Sequence, residues 1–90
     1  VYDCNNMDTA LSLSNSLDFA FQASIFTNDL SEAMSAFSNL DATAVMINDH
    51  TAFRVDWMPF AGRRQSGYGT GGIGYTMEDM TQLKMAVINT

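Results

Sequence analysis

Scarcity shapes this sequence more than abundance does. It has one cysteine, Cys4, so an internal disulfide and a thiolate metal cluster are both ruled out. Cys4 also sits beside Asp3, whose charge disfavours the thiolate, so an incidental thiol is a better reading than a nucleophile. The only histidine, His50, removes multi-histidine metal sites. Just four Lys and Arg stand against ten Asp and Glu, giving a formal net charge of −6. Such a chain repels the phosphate backbone that nucleic-acid binding must neutralise, so nucleic acid is excluded as a partner. No apolar run approaches the roughly 20 residues needed to cross a bilayer, and no basic-then-apolar leader opens the chain, which leaves no role for a membrane. A cytoplasmic protein is the expectation. The chain opens on Val1 rather than Met, which points to processing or truncation.

What is present indicates a folded α/β unit. Ninety residues with 47% hydrophobic content suit one small domain. A domain of that size hides only about 60% of its unfolded surface and gains from a partner. Val1 to Asp3 read as the end of a strand. Asn5 and Asn6 suit a helix start, and Met7, Ala10, Leu11, Ser14 and Leu17 recur at helical spacing with Ser12 and Asn15 turned outward. After a break at 16–20, Phe21 to Phe26 read as a strand, ended by the capping run Thr27-Asn28-Asp29. Leu30, Ala33, Met34, Phe37 and Leu40 then mark the face of a second helix. Thr43 to Asn48 form a short apolar run, as in a strand covered on both faces.

This β-α-β-α-β order over residues 1–48 predicts a partial parallel sheet with right-handed crossovers. Residues 49–74 lose the pattern and carry Pro59, the only proline, and all six glycines. Loops this long are usually functional or supported from outside. Residues 75–90 read as a helix from Tyr75 to Gln82, with Glu78 and Asp79 near its start, followed by a tail strand from Leu83 to Ile88.

The stretch GYGTGGIG, residues 67–74, matches G-x-G-x-x-G twice. A dinucleotide fingerprint, however, must leave a buried strand and be followed about 20 residues later by an acidic ribose anchor. Here a polar loop precedes Gly67 and the chain ends before such an anchor, so the glycines are read as turn formers. No cofactor-binding residue is assigned.

Arg54, Arg63 and Arg64 place three of the four basic residues in one loop. They either attract an anion or pair locally with Asp49 and Asp56, and spacing alone favours the second reading. His50 is more ordinary as a loop histidine than as a catalyst, since no nucleophile is identifiable to complete a triad with Asp49. Phe53, Trp57 and Phe60 either line a pocket or pack the loop onto a core. The seven methionines read as adaptable core filler.

Four ordered segments nevertheless resemble a known family. The runs IFTNDLSEAMSAFSNL…AVMIND and MPFAGRRQSGYGTGGIGYTMEDMTQLKMAVI resemble the C-terminal part of the NAD(P)-dependent aldehyde dehydrogenase superfamily, with its vFT.dl..a, v.iN, PFGG.k.SG.G and T..K.v.i motifs. The INDH…FRVD.MPF loop is most similar to the branch acting on lactaldehyde and on phosphono-, sulfo- or phospho-substituted aldehydes.

The resemblance implies that residues 49–54 anchor the far end of the aldehyde, with His50 and Arg54 gripping an anionic group and Phe60 facing the substrate tunnel. It implies that Leu83, Met85 and Val87 lie on a strand that joins a neighbouring subunit. In the family, a cysteine forms a thiohemiacetal, hydride passes to the nicotinamide and a glutamate-activated water releases the acid. Those two residues and the cofactor domain lie upstream of everything matched here, and Cys4 does not align with the nucleophile. The resemblance thus implies a segment that binds neither NAD nor NADP itself and is catalytically incomplete alone, assembling with itself or with the remainder of an aldehyde dehydrogenase. A stand-alone oligomerisation module derived from such an enzyme is the alternative. Two departures stand out: Ala61 replaces the first glycine after Pro59-Phe60, and Thr43-Ala44 stands where Ala-Gly is usual.

Overall fold

The computed structural model describes residues 1–90. The first helix, α1 (Met7–Ser14), starts where Asn6 turns extended and its side-chain oxygen accepts the Thr9 N–H at 2.9 Å. It is followed by two short strands, β1 (Phe19–Ala20) and β2 (Gln22–Ile25). At the start of the second helix, α2 (Leu30–Asn39), Asp29 Oδ1 accepts the N–H groups of Ser31 at 2.7 Å and Glu32 at 3.2 Å. Both caps satisfy N–H groups that have no intrahelical partner, and Asp29 and Glu32 place negative charge at the positive end of the helix.

Strand β3 (Ala44–Ile47) runs parallel to β2, with Gln22 opposite Ala44 and Ile25 opposite Ile47. β2, α2 and β3 thus form one βαβ unit, as the hydrophobic periods predict. Leu11, Ile25 and Ala36 form its core, with Met7, Leu40 and Val45 packed against them. The small Ala33 and Ala36 are the buried positions of α2, and Ala36 meets Leu11 of α1 and Ile25 of β2. Leu30, Met34 and Phe37, expected on the same buried face, are instead exposed.

Three further expectations are corrected. Val1–Asp3 and Leu83–Ile88 carry no strand and are exposed throughout. A strand exists only where its N–H and C=O groups meet a partner edge, and within one chain neither segment reaches one. The β-α-β-α-β sheet is therefore a two-stranded parallel pair in this chain.

Residues 49–74 are also more ordered than their composition suggests. A strand within them, β4 (Arg63–Arg64), pairs antiparallel with β1, which occupies the expected break at 16–20. The last helix, α3 (Ile73–Asp79), begins two residues before Tyr75. Glu78 and Asp79 consequently fall at its end, where negative charge opposes the helix dipole and favours termination.

Candidate functional site

The candidate site grows from the carboxyl end of β3. Asn48, the residue after the strand, takes a left-handed φ of 57°. Its N–H still donates to Ile25 O at 2.8 Å, while its side chain serves the next residue pair of the ladder. Oδ1 accepts the Thr27 N–H at 2.9 Å, and Nδ2 donates to Thr27 O at 2.9 Å. The amide thus stands in for a peptide group and extends the β2–β3 pairing where the backbone has turned away. Ser24 Oγ donates to Asp49 O, which fixes the start of the following loop.

That loop bends back beside β3. Phe53, Val55, Trp57 and Met58 wall an apolar groove of about 370 Å³ along Ala44–Ile47. His50 and Arg54, the expected anion grips, do not line it. His50 is exposed; its Nδ1 accepts the Ala52 N–H at 3.1 Å and its Nε2 lies 3.8 Å from the Asp49 carboxylate. These contacts shape a turn. Arg54 lies elsewhere, with its guanidinium carbon 4.8 Å from the centre of the Phe60 ring. Phe60 in turn meets Phe21 edge to face, with ring centroids 5.0 Å apart. The structure therefore brings Arg54 and Phe60 together and leaves His50 apart. Arg54 makes no ion pair with a carboxylate, so its donors remain available beside an aromatic wall.

Arg63 and Arg64 have a different task. Neither pairs with Asp49 or Asp56, the partners that spacing suggested. Both bind Asp41: Arg63 Nη1 donates to Oδ1 at 2.9 Å and Arg64 Nε to Oδ2 at 2.7 Å. Arg64 Nη1 also donates to Asn15 O at 2.6 Å and to Leu17 O. The Arg63 hydrogen bond holds the Asp41 carboxyl below its ordinary 3.8; partial burial opposes this, and Arg64 reinforces it. Asn15, expected to face outward, is half-buried: Nδ2 donates to Asn39 O at 2.7 Å and Oδ1 accepts the Asp41 N–H at 2.9 Å. Sequence reasoning missed Asp41, Asn15 and Asn48 because their partners lie more than 20 residues away.

Two glycines of the 67–74 stretch make close contacts within the chain. Gly71 exchanges two backbone hydrogen bonds with Phe60, at 2.9 and 2.7 Å, so its polar groups are already committed. At Gly72, with φ 114°, a Cβ would lie 2.8 Å from Met58 O, so the close approach made there is to the chain's own backbone. The Phe60–Gly71 pair closes the intervening residues into a loop, and no step of chemistry is assigned to a cofactor bound there.

Residues 1–86, which hold the βαβ unit, the aromatic loop and the glycine-rich stretch, match a family model described as the aldehyde dehydrogenase family. The chain belongs to the aldehyde dehydrogenase family. Among its relatives, an aspartate-semialdehyde dehydrogenase from Pseudomonas canavaninivorans is 46% identical over 82 residues, which are 91% of this chain and 17% of the relative. A lactaldehyde dehydrogenase from Methanococcus maripaludis is 42% identical, covering 93% of this chain and 18% of the relative. A 3-sulfolactaldehyde dehydrogenase from Priestia aryabhattai is 39% identical, covering 94% and 18%.

The crystal structure of glyceraldehyde-3-phosphate dehydrogenase from Methanocaldococcus jannaschii, complexed with NADP, superposes on 89% of this chain and 18% of its own, with a TM-score of 0.82 and 38% identity. The chain spans less than a fifth of the length of these relatives. No helix in it is long and apolar enough to cross a membrane.

Proposed function

We propose that this chain is the C-terminal, substrate-loop and subunit-contact segment of a cytoplasmic NAD(P)-dependent aldehyde dehydrogenase that oxidises a small anionic aldehyde to a carboxylate. In this reading the segment holds no nicotinamide and is catalytically incomplete alone. The catalytic thiol, the general-base carboxylate and the compartment that takes up hydride come from the remainder of the enzyme. The segment binds and orients.

The observation that carries this reading is the placement of Arg54 over Phe60 at the end of the loop that leaves β3. An aromatic wall fits the apolar part of a short aldehyde, and a guanidinium without a carboxylate partner suits an anionic far end. The substrates for which the relatives are named include aldehydes that carry an anionic group, the carboxylate of aspartate semialdehyde and the sulfonate of 3-sulfolactaldehyde. His50, turned into its own loop, has at most an outer place in this grip.

The test is steady-state kinetics on the complete enzyme with Arg54→Ala. Loss of a charged hydrogen bond should raise KM for 3-sulfolactaldehyde about tenfold or more and leave that for neutral lactaldehyde nearly unchanged. An equal rise for both substrates would refute an anion grip at Arg54.

A second reading, an oligomerisation module acting without the rest of an enzyme, draws on the exposure of Leu83, Met85 and Val87, each more than 80% accessible. Both readings place these three side chains on a subunit contact.

A further inference from the structure

We propose that Asp41, through Arg64 and Arg63, is a positioning residue that sets the place of Phe60 and thereby tunes substrate affinity. The inference rests on the functional reading above and extends it to residues that touch no substrate. Two anchors on the α2–β3 turn hold the segment that follows Phe60. Thr43 Oγ1 donates to Ala61 O at 2.6 Å, and the Asp41 carboxylate receives Arg63 and Arg64, one guanidinium on each oxygen.

Thr43, which departs from the family pattern, thus bonds the backbone of Ala61, which departs from it too. Thr43 N–H also donates to Phe21 O at 2.7 Å, and the Phe21 ring meets Phe60. One turn therefore holds both the residue after Phe60 and the ring beside it.

The conformation of Arg64 supports the same assignment. Its φ of 53° is a left-handed value that a side-chain-bearing residue adopts at a cost, and that persists where the surroundings over-determine it. Those surroundings are Asp41, Asn15 O and Leu17 O together. Ser66 Oγ, which accepts the Ala20 N–H at 3.1 Å, and the Gln65 N–H, which donates to Asp18 O at 3.0 Å, close the far side of the segment. Phe60 itself is 46% exposed, so its position depends on these anchors more than on a surrounding core.

A double-mutant cycle in the complete enzyme separates positioning from mere stability. Asp41→Ala should raise aldehyde KM about two- to fivefold while kcat stays within about twofold, the scale of a partly exposed ion pair. In a Phe60→Ala background the same change should have little further effect, because a clamp that acts through Phe60 loses its object. Asp41→Asn, which keeps the shape and a hydrogen-bond acceptor, should fall between wild type and Asp41→Ala, and it carries the test if the alanine variant does not fold. Independent, multiplying effects of Asp41 and Phe60 on KM would overturn the proposal, as would a lowered melting temperature with unchanged KM. Absence of aldehyde oxidation in the unaltered enzyme would instead overturn the functional reading on which it rests.

Discussion

At the scale of single residues, Asn48 does the most with the least. Its side chain completes a backbone ladder and its φ of 57° turns the chain toward the loop that carries Arg54. Asn48→Ala loses both side-chain bonds and retains the left-handed backbone, which should cost about 1–3 kcal/mol. Asn48→Gly also loses the bonds but relieves the backbone, and should be milder by about 1 kcal/mol. Urea unfolding of the two variants gives the comparison, and equal midpoints would mean that the turn imposes no conformational demand. The sequence reading carries the strand through Asn48, one residue past its observed end at Ile47. It cannot show that the amide reaches Thr27, since that contact exists only once the crossover through α2 has brought the strands side by side.

At the scale of elements, periodicity identifies both longer helices, β2 and β3, because each repeats its apolar positions within a few residues. It does not say which apolar residues are covered. The spacing of Leu30, Ala33, Met34, Phe37 and Leu40 is helical, yet Ala33 is buried and Leu40 packs on the core while Leu30, Met34 and Phe37 stay outside. β1 and β4 escape detection because two-residue strands carry no period. They are held by side chains, chiefly the bonds from Arg64 and to Ser66.

The clamp also has a pH signature. Asp41 has a native pKa below its unfolded value, so its contribution to stability is present above about pH 3.8 and is lost as pH falls through the lowered native value. The melting temperature of wild type should therefore decline more steeply than that of Asp41→Asn below about pH 4, and the two should run parallel above about pH 5. Parallel curves throughout would show that the ion pairs contribute nothing to folding.

At the scale of the whole molecule, the chain is too open for its length. Its radius of gyration is 18.4 Å, against about 12 Å for a compact chain of 90 residues. Only six residues are buried, and every residue from Ile73 to Thr90 is exposed. The family, the βαβ unit and the Pro59-Phe60 segment are all legible in the sequence, because they depend on neighbours along the chain or on motifs. Residues 1–3 and 83–88 have strand-like composition and form no strand for one reason: such composition says that a segment suits an edge, and nothing about whether the same chain supplies one. Light scattering on the 90-residue chain should accordingly reveal self-association, and Val87→Lys, placing a charge on the tail, should weaken it. A monodisperse monomer at all concentrations would contradict the role assigned to Leu83, Met85 and Val87.

The bare tail has a consequence for what folding means in this protein. If residues 83–88 become a strand only on another molecule's edge, their order is a bimolecular equilibrium, and dilution alone can melt them while the βαβ unit stays intact.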